Sequence, residues 1–84
     1  MELSILRQYK QRKMITEIGI VAGDIWHYLD EYGCSDFNEV ITAIGASRKL
    51  AFMSLGWLAR EGHVLVEEKN EVLQVSLRTL KEVE

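Results

Sequence analysis

The sequence predicts a mainly helical α+β domain: three helices followed by a two-stranded β-hairpin. Three observations predict it. Apolar residues recur at helical spacing in three stretches before residue 62. The period of the pattern falls to two after Gly62. Each helical stretch ends at a glycine, namely Gly33, Gly45 and Gly62.

The first stretch runs from about Ile15 to Tyr32. Ile15, Ile18, Ala22, Ile25, Leu29 and Tyr32 make one apolar stripe. Thr16 suits the cap, and Glu17 suits the positive end of the helix dipole. Gly19 and Gly23 sit inside the helix, four apart and on one face. Each costs about 1 kcal/mol relative to alanine. The expected compensation is close approach of another element, within the domain or across a subunit contact. Trp26 and Trp57 are expected in the core, each with a partner for its indole N–H.

The second stretch is Asp36–Ile44. Asp36 and Glu39 have capping-box spacing, and Phe37, Val40, Ile41 and Ile44 share one side. The third begins at Ser47, a cap, and stops at Gly62. Leu50, Ala51, Met53, Leu55, Trp57 and Leu58 are expected on its buried side. Arg48, Lys49, Phe52, Gly56 and Arg60 are expected on the other. Only Gly45 and Ala46 separate the two helices, so they must cross steeply, which is helix-turn-helix geometry.

Then come two strands, His63–Glu67 and Val72–Leu77, around the polar turn Glu68–Glu71, where Asn70 tolerates positive φ. Val64, Val66, Leu73, Val75 and Leu77 are expected to face the helices. A lone hairpin is marginal in water, so it must lie on the helical core. The result is a winged helix-turn-helix domain over residues 14–78, with a short extra strand expected at Cys34–Ser35. Residues 1–13 read as a basic extension, either a short amphipathic helix or a loose arm. Residues 79–84 read as a tail, in which Thr79 and Glu82 have capping-box spacing.

The 84 residues suffice for one small domain, and 48% hydrophobic content excludes a disordered chain. No apolar run has the length of a membrane span, and the start lacks a secretion-signal layout. The single cysteine, Cys34, excludes an internal disulfide and fits a reducing cytoplasm. The net charge of −3 is unevenly spread. Residues 1–13 hold Arg7, Lys10, Arg12 and Lys13 against Glu2, while the remainder holds six basic and twelve acidic residues. A body of that sign repels nucleic acid at long range, so any such contact needs a local basic patch or the N-terminal arm.

Ile18–Gly19, Ala22–Gly23–Asp24–Ile25–Trp26–His27–Tyr28–Leu29 and Leu55–Gly56–Trp57–Leu58–Ala59–Arg60–Glu61–Gly62 are specific in combination. The AG-x-IW-x-x-L and LGWLARE stretches resemble a family of small prokaryotic winged helix-turn-helix proteins of uncharacterised function. The likeness covers residues 15–78. It implies the fold and a homodimer, and it transfers no catalytic residue, because these are packing motifs.

The third helix carries the chemistry. In helix-turn-helix proteins the N-terminal residues of the second helix of the motif meet base edges. Here that helix opens with Arg48–Lys49, where two cations oppose the macrodipole at about 0.3–1 kcal/mol each. Phosphate contact would explain the placement. Arg60 extends that side, Lys69 sits at the wing tip, Phe52 can meet a thymine methyl, and Arg12 and Lys13 can reach a neighbouring groove. Duplex DNA is therefore the expected partner, through Arg48, Lys49, Phe52, Arg60 and Lys69.

Against it, Phe52, Gly56 and Ala59 offer no hydrogen bonds, and Glu67, Glu68 and Glu71 crowd the wing. The alternative is a protein-interaction module without nucleic-acid binding, with Phe52 as an apolar patch rimmed by Arg48 and Arg60. Ordinary solvated charges are the third reading. An enzyme is not expected, nor a cofactor. His27 and His63 have no ligand partner at metal spacing, Asp30–Glu31 is a solvated pair, and no phosphate loop precedes a helix.

Overall fold

A computed structural model describes the backbone of residues 2–78 and the side chains of residues 14–78. The elements are α1 (Glu2–Tyr32), β1 (Ser35–Asp36), α2 (Phe37–Ile44), α3 (Arg48–Arg60), β2 (Val64–Lys69) and β3 (Val72–Leu77). This is the expected winged helix-turn-helix architecture, three helices beside an antiparallel sheet of order β1-β3-β2. The tail at 79–84, with its Thr79 and Glu82, lies outside the described residues.

The boundaries follow local chemistry. Asp36 caps α2 by accepting from the Asn38 N–H at 2.8 Å, and Ser47 caps α3 by accepting from the Leu50 N–H at 3.2 Å. Gly45 ends α2 at φ 71°, in the left-handed region that bends the chain into the next helix. At the end of α3, the N–H groups of Gly62 and His63 donate to the carbonyls of Ala59 and Leu58. α1 continues unbroken through residues 2–13, and its 31 residues account for most of the 52 Å long axis of the molecule.

In the hairpin, Val64 pairs with Leu77 and Val66 with Val75. The turn is tighter than the four-residue Glu68–Glu71. β2 runs on to Lys69, and only Asn70 and Glu71 make the turn, both at positive φ (53° and 66°). Two positive φ values match the right-handed twist of the flanking strands. The extra strand is Ser35–Asp36, one residue later than expected, pairing Ser35 with Val75 and Asp36 with Gln74.

The core brings together Ile25 and Leu29 of α1, Phe37 and Val40 of α2, Ala51, Leu55 and Leu58 of α3, and Val64 and Val75 of the wing. Both ends of the α1 stripe lie outside it, since Ile15 is 67% and Tyr32 63% exposed. Among the described side chains of α1, the buried apolar ones run from Val21 to Leu29. The apolar face of α3 is also narrower than expected. Ala51, Ser54, Leu55 and Leu58 are buried, whereas Met53 and Trp57 are exposed. Ser54 explains why. Its hydroxyl donates to the Ile18 carbonyl at 3.1 Å, which draws α3 close to α1. Two small residues, Ala51 and Ser54, leave a thin seam with no room for an indole.

Both tryptophans are thus surface residues, correcting the expectation that they fill the core. Trp26 follows the fully buried Ile25 and so points about 100° away from the core. The glycines correct the expectation of close packing within the domain. A Cβ added at Gly19 or Gly23 would meet nothing within 4 Å, so among the described residues no other element packs tightly against them. Val66 is a third correction: it lies on the inward face beside the fully buried Val75, yet is exposed, because β2 is the edge strand of the sheet while β3 is central.

Candidate nucleic-acid interface

Arg48 and Lys49 occupy the first turn of α3, directly after the Ser47 cap, and both are exposed. Arg60 is exposed at the opposite end of the same helix, and Lys69 is exposed beside the wing turn. Phe52 stands one turn after Arg48 and is 38% exposed. The five side chains expected to meet a partner are therefore all accessible, four on α3 and one on the wing.

Arg48 and Phe52 form a unit. The guanidinium lies over the Phe52 ring, 5.2 Å from its centroid, and Phe52 meets Phe37 edge-on at 5.2 Å. Arg48 Nη1 also donates to Asn38 Oδ1 at 3.1 Å. The ring's negative face and the amide oxygen offset part of the cost of a cation at the positive end of a helix. Asn38 was not legible as a contributor, because a hydrogen bond across ten residues leaves no trace in periodicity.

The wing carries mixed charge. Glu67 and Lys69 alternate onto one face of β2 while Glu68 turns to the other, and all three are exposed. Arg78 is a further cation that pattern reading missed. Its N–H donates to the His63 carbonyl at 3.0 Å, and its guanidinium reaches Gly62, at the negative end of α3. Among the described residues no group of three or more His, Cys, Asp or Glu is placed to hold a metal ion. His27 packs edge-on against Trp26 at 5.5 Å, and His63 lies 6.1 Å from the Trp57 ring. Among the described residues no helix is long and apolar enough to cross a membrane.

The helix-turn-helix and the wing agree with the comparisons. The winged helix-turn-helix domain family DUF2582 matches residues 11–77. The chain belongs to that family. A relative in Methanocaldococcus jannaschii, the uncharacterised protein MJ1608, is 30% identical over 64 residues, covering 74% of this chain and 91% of its own. The solution structure of protein BT2368 from Bacteroides thetaiotaomicron is 31% identical, with a TM-score of 0.66 over 74% of this chain and 76% of that one. Two more distant structures share the fold. YusO from Bacillus subtilis is 13% identical, with a TM-score of 0.65 over 98% of this chain and 64% of its own. The transcriptional regulator HlyU from Vibrio vulnificus is 16% identical, with a TM-score of 0.56 over 96% of this chain and 86% of its own.

Proposed function

We propose that this member of the DUF2582 family is a cytoplasmic DNA-binding regulator that works as a homodimer, with α3 as its recognition helix. One observation carries the reading: Arg48 and Lys49 stand exposed on the first turn of α3, where the helix-turn-helix offers side chains to a groove. Arg48 is steered by Asn38 and Phe52 and can hold a phosphate without losing its ring contact. Lys49 and Arg60 add phosphate contacts, Phe52 meets a thymine methyl, and Lys69 approaches the duplex from the wing tip. That HlyU is a transcriptional regulator on the same fold supports the reading.

Labelled duplex DNA titrated at several salt concentrations tests it. Three phosphate contacts per chain, doubled by symmetry, give a log–log slope of roughly −5. Replacing Arg48 and Lys49 by alanine together brings the slope to about −2. A salt-independent response, or a double variant that binds like the parent, ends the DNA reading.

The exposed Phe52 ring beside Arg48 favours a second reading, a protein-interaction module that binds no nucleic acid. In that case Phe52→Asp abolishes a partner complex and leaves far-UV circular dichroism unchanged.

A further inference from the structure

An apolar groove of about 290 Å³ lies between α1 and α3. Gly19 and Gly23 form part of its floor, and Trp26 and Trp57 wall it. Four residues before Gly19, on the same side of α1, Ile15 is 67% exposed. The molecule therefore presents an apolar knob at Ile15 and, next to it on the same helix, an apolar hole over two glycines with open space above them.

The charge along α1 says what fits there. Arg12, Ile15, Gly19, Gly23, Trp26 and Asp30 fall on one stripe at spacings of three and four. The stripe runs cation, apolar, glycine, glycine, apolar, anion. It is complementary to itself when reversed. The wider charge has the same polarity: residues 2–13 are basic, and Glu17, Asp24, Asp30 and Glu31 make the rest of α1 acidic. Two copies laid parallel would set like charges together, whereas an antiparallel pair sets each basic end against an acidic one.

We infer that a second copy of this chain docks here, with the two α1 helices antiparallel and crossing at Gly19 and Gly23. Ile15 enters the partner's groove beside the partner's Trp26, and Arg12 stands at the register of the partner's Asp30. The twofold axis repeats both contacts, as an isologous interface requires. The glycines let the helix axes approach more closely than side chains would permit. Trp57 and Phe52 occupy opposite shoulders of α3, so this pairing leaves the Arg48–Phe52 unit open. The inference rests on the homodimer in the proposed function and is independent of the DNA contact.

Sedimentation equilibrium on the full chain tests it. The parent sediments as a dimer. Gly19→Leu and Gly23→Leu sediment as monomers with unchanged circular dichroism, since a Cβ at either position meets nothing within 4 Å and the rest of the side chain has the open groove to enter. Arg12→Asp and Asp30→Arg each weaken the dimer about tenfold, because each acts twice across the axis. Combining the two reversals restores the parent's affinity to within about threefold, a rescue that a merely structural effect would not produce. A parent that is monomeric at about 100 μM overturns both the inference and the homodimer. A dimer that survives Gly19→Leu, or a double reversal weaker than either single one, overturns the α1 surface and leaves the homodimer standing. The salt slope on DNA is read separately: it carries the doubling by symmetry but does not report on which surface pairs the copies.

Discussion

Ser54 shows how much one hydroxyl decides. It is fully buried, and it donates to a carbonyl that the α1 ladder already uses. A carbonyl oxygen has two lone pairs, so deleting the hydroxyl strands no partner. Ser54→Ala is therefore expected to lower stability by only about 1 kcal/mol, read as a shifted urea midpoint at constant slope. Ser54→Leu must instead push α3 off α1 and costs about 1–3 kcal/mol or more. If the leucine variant is as stable as the alanine one, the seam is looser than the Ser54 contact implies. Residue-level legibility divides along the same line. The caps at Asp36 and Ser47 and the core positions Ile25, Leu29 and Val40 were readable, because each follows from a local rule. Trp26 and Trp57 were misplaced, because a periodic pattern gives an angle around a helix but not the depth of the seam it meets. That depth is set by Ala51 and Ser54, which a hydrophobicity pattern scores as filler.

At the level of elements, the two tight connections make opposite demands on their residues. Gly45 holds φ 71° between α2 and α3, and alanine there costs about 1 kcal/mol. In the wing turn, Glu71 holds φ 66° without being glycine. Here the strain is already present, and Glu71→Gly is expected to raise stability by about 0.5–1 kcal/mol, glycine's greater chain entropy offsetting part of the relief. Both changes are measured by urea denaturation, and equal signs at the two positions would contradict the turn geometry. Glu71→Gly also removes a carboxylate from the wing, so under the DNA reading it strengthens binding as well. The turn at Asn70–Glu71 was only half legible, since asparagine announces a left-handed conformation and glutamate does not. The helix-turn-helix was fully legible, because Gly45, Ala46 and Ser47 leave the chain no other way to connect two amphipathic helices. The candidate site was legible as a list of exposed cations, while the Asn38–Arg48–Phe52–Phe37 stack that orders them needed coordinates.

Across the whole molecule, α1 is longer than the core it serves. Among its described side chains the buried ones span Val21–Leu29, and Ile15 and Ile20 stay exposed on the turns before them. An interface through α1 would couple stability to concentration, because anything that binds only the folded chain stabilises it by mass action. Thermal melts over about 1–500 μM protein are then expected to show a midpoint that climbs with concentration in the parent and stays level in Gly19→Leu. The two curves are also expected to cross. At the dilute end the parent is a monomer carrying an exposed mid-helix glycine, and leucine at that position is the better helix former by nearly 1 kcal/mol. The variant melts higher there. At the concentrated end the parent gains the dimer contacts that the leucine blocks, and the order reverses. Level curves for both proteins would mean that the groove and the α1 stripe do not meet a second copy. Parallel rising curves would mean that the copies pair through another face. Only a crossing ties the glycines, which local helix propensity disfavours, to an advantage that exists between chains.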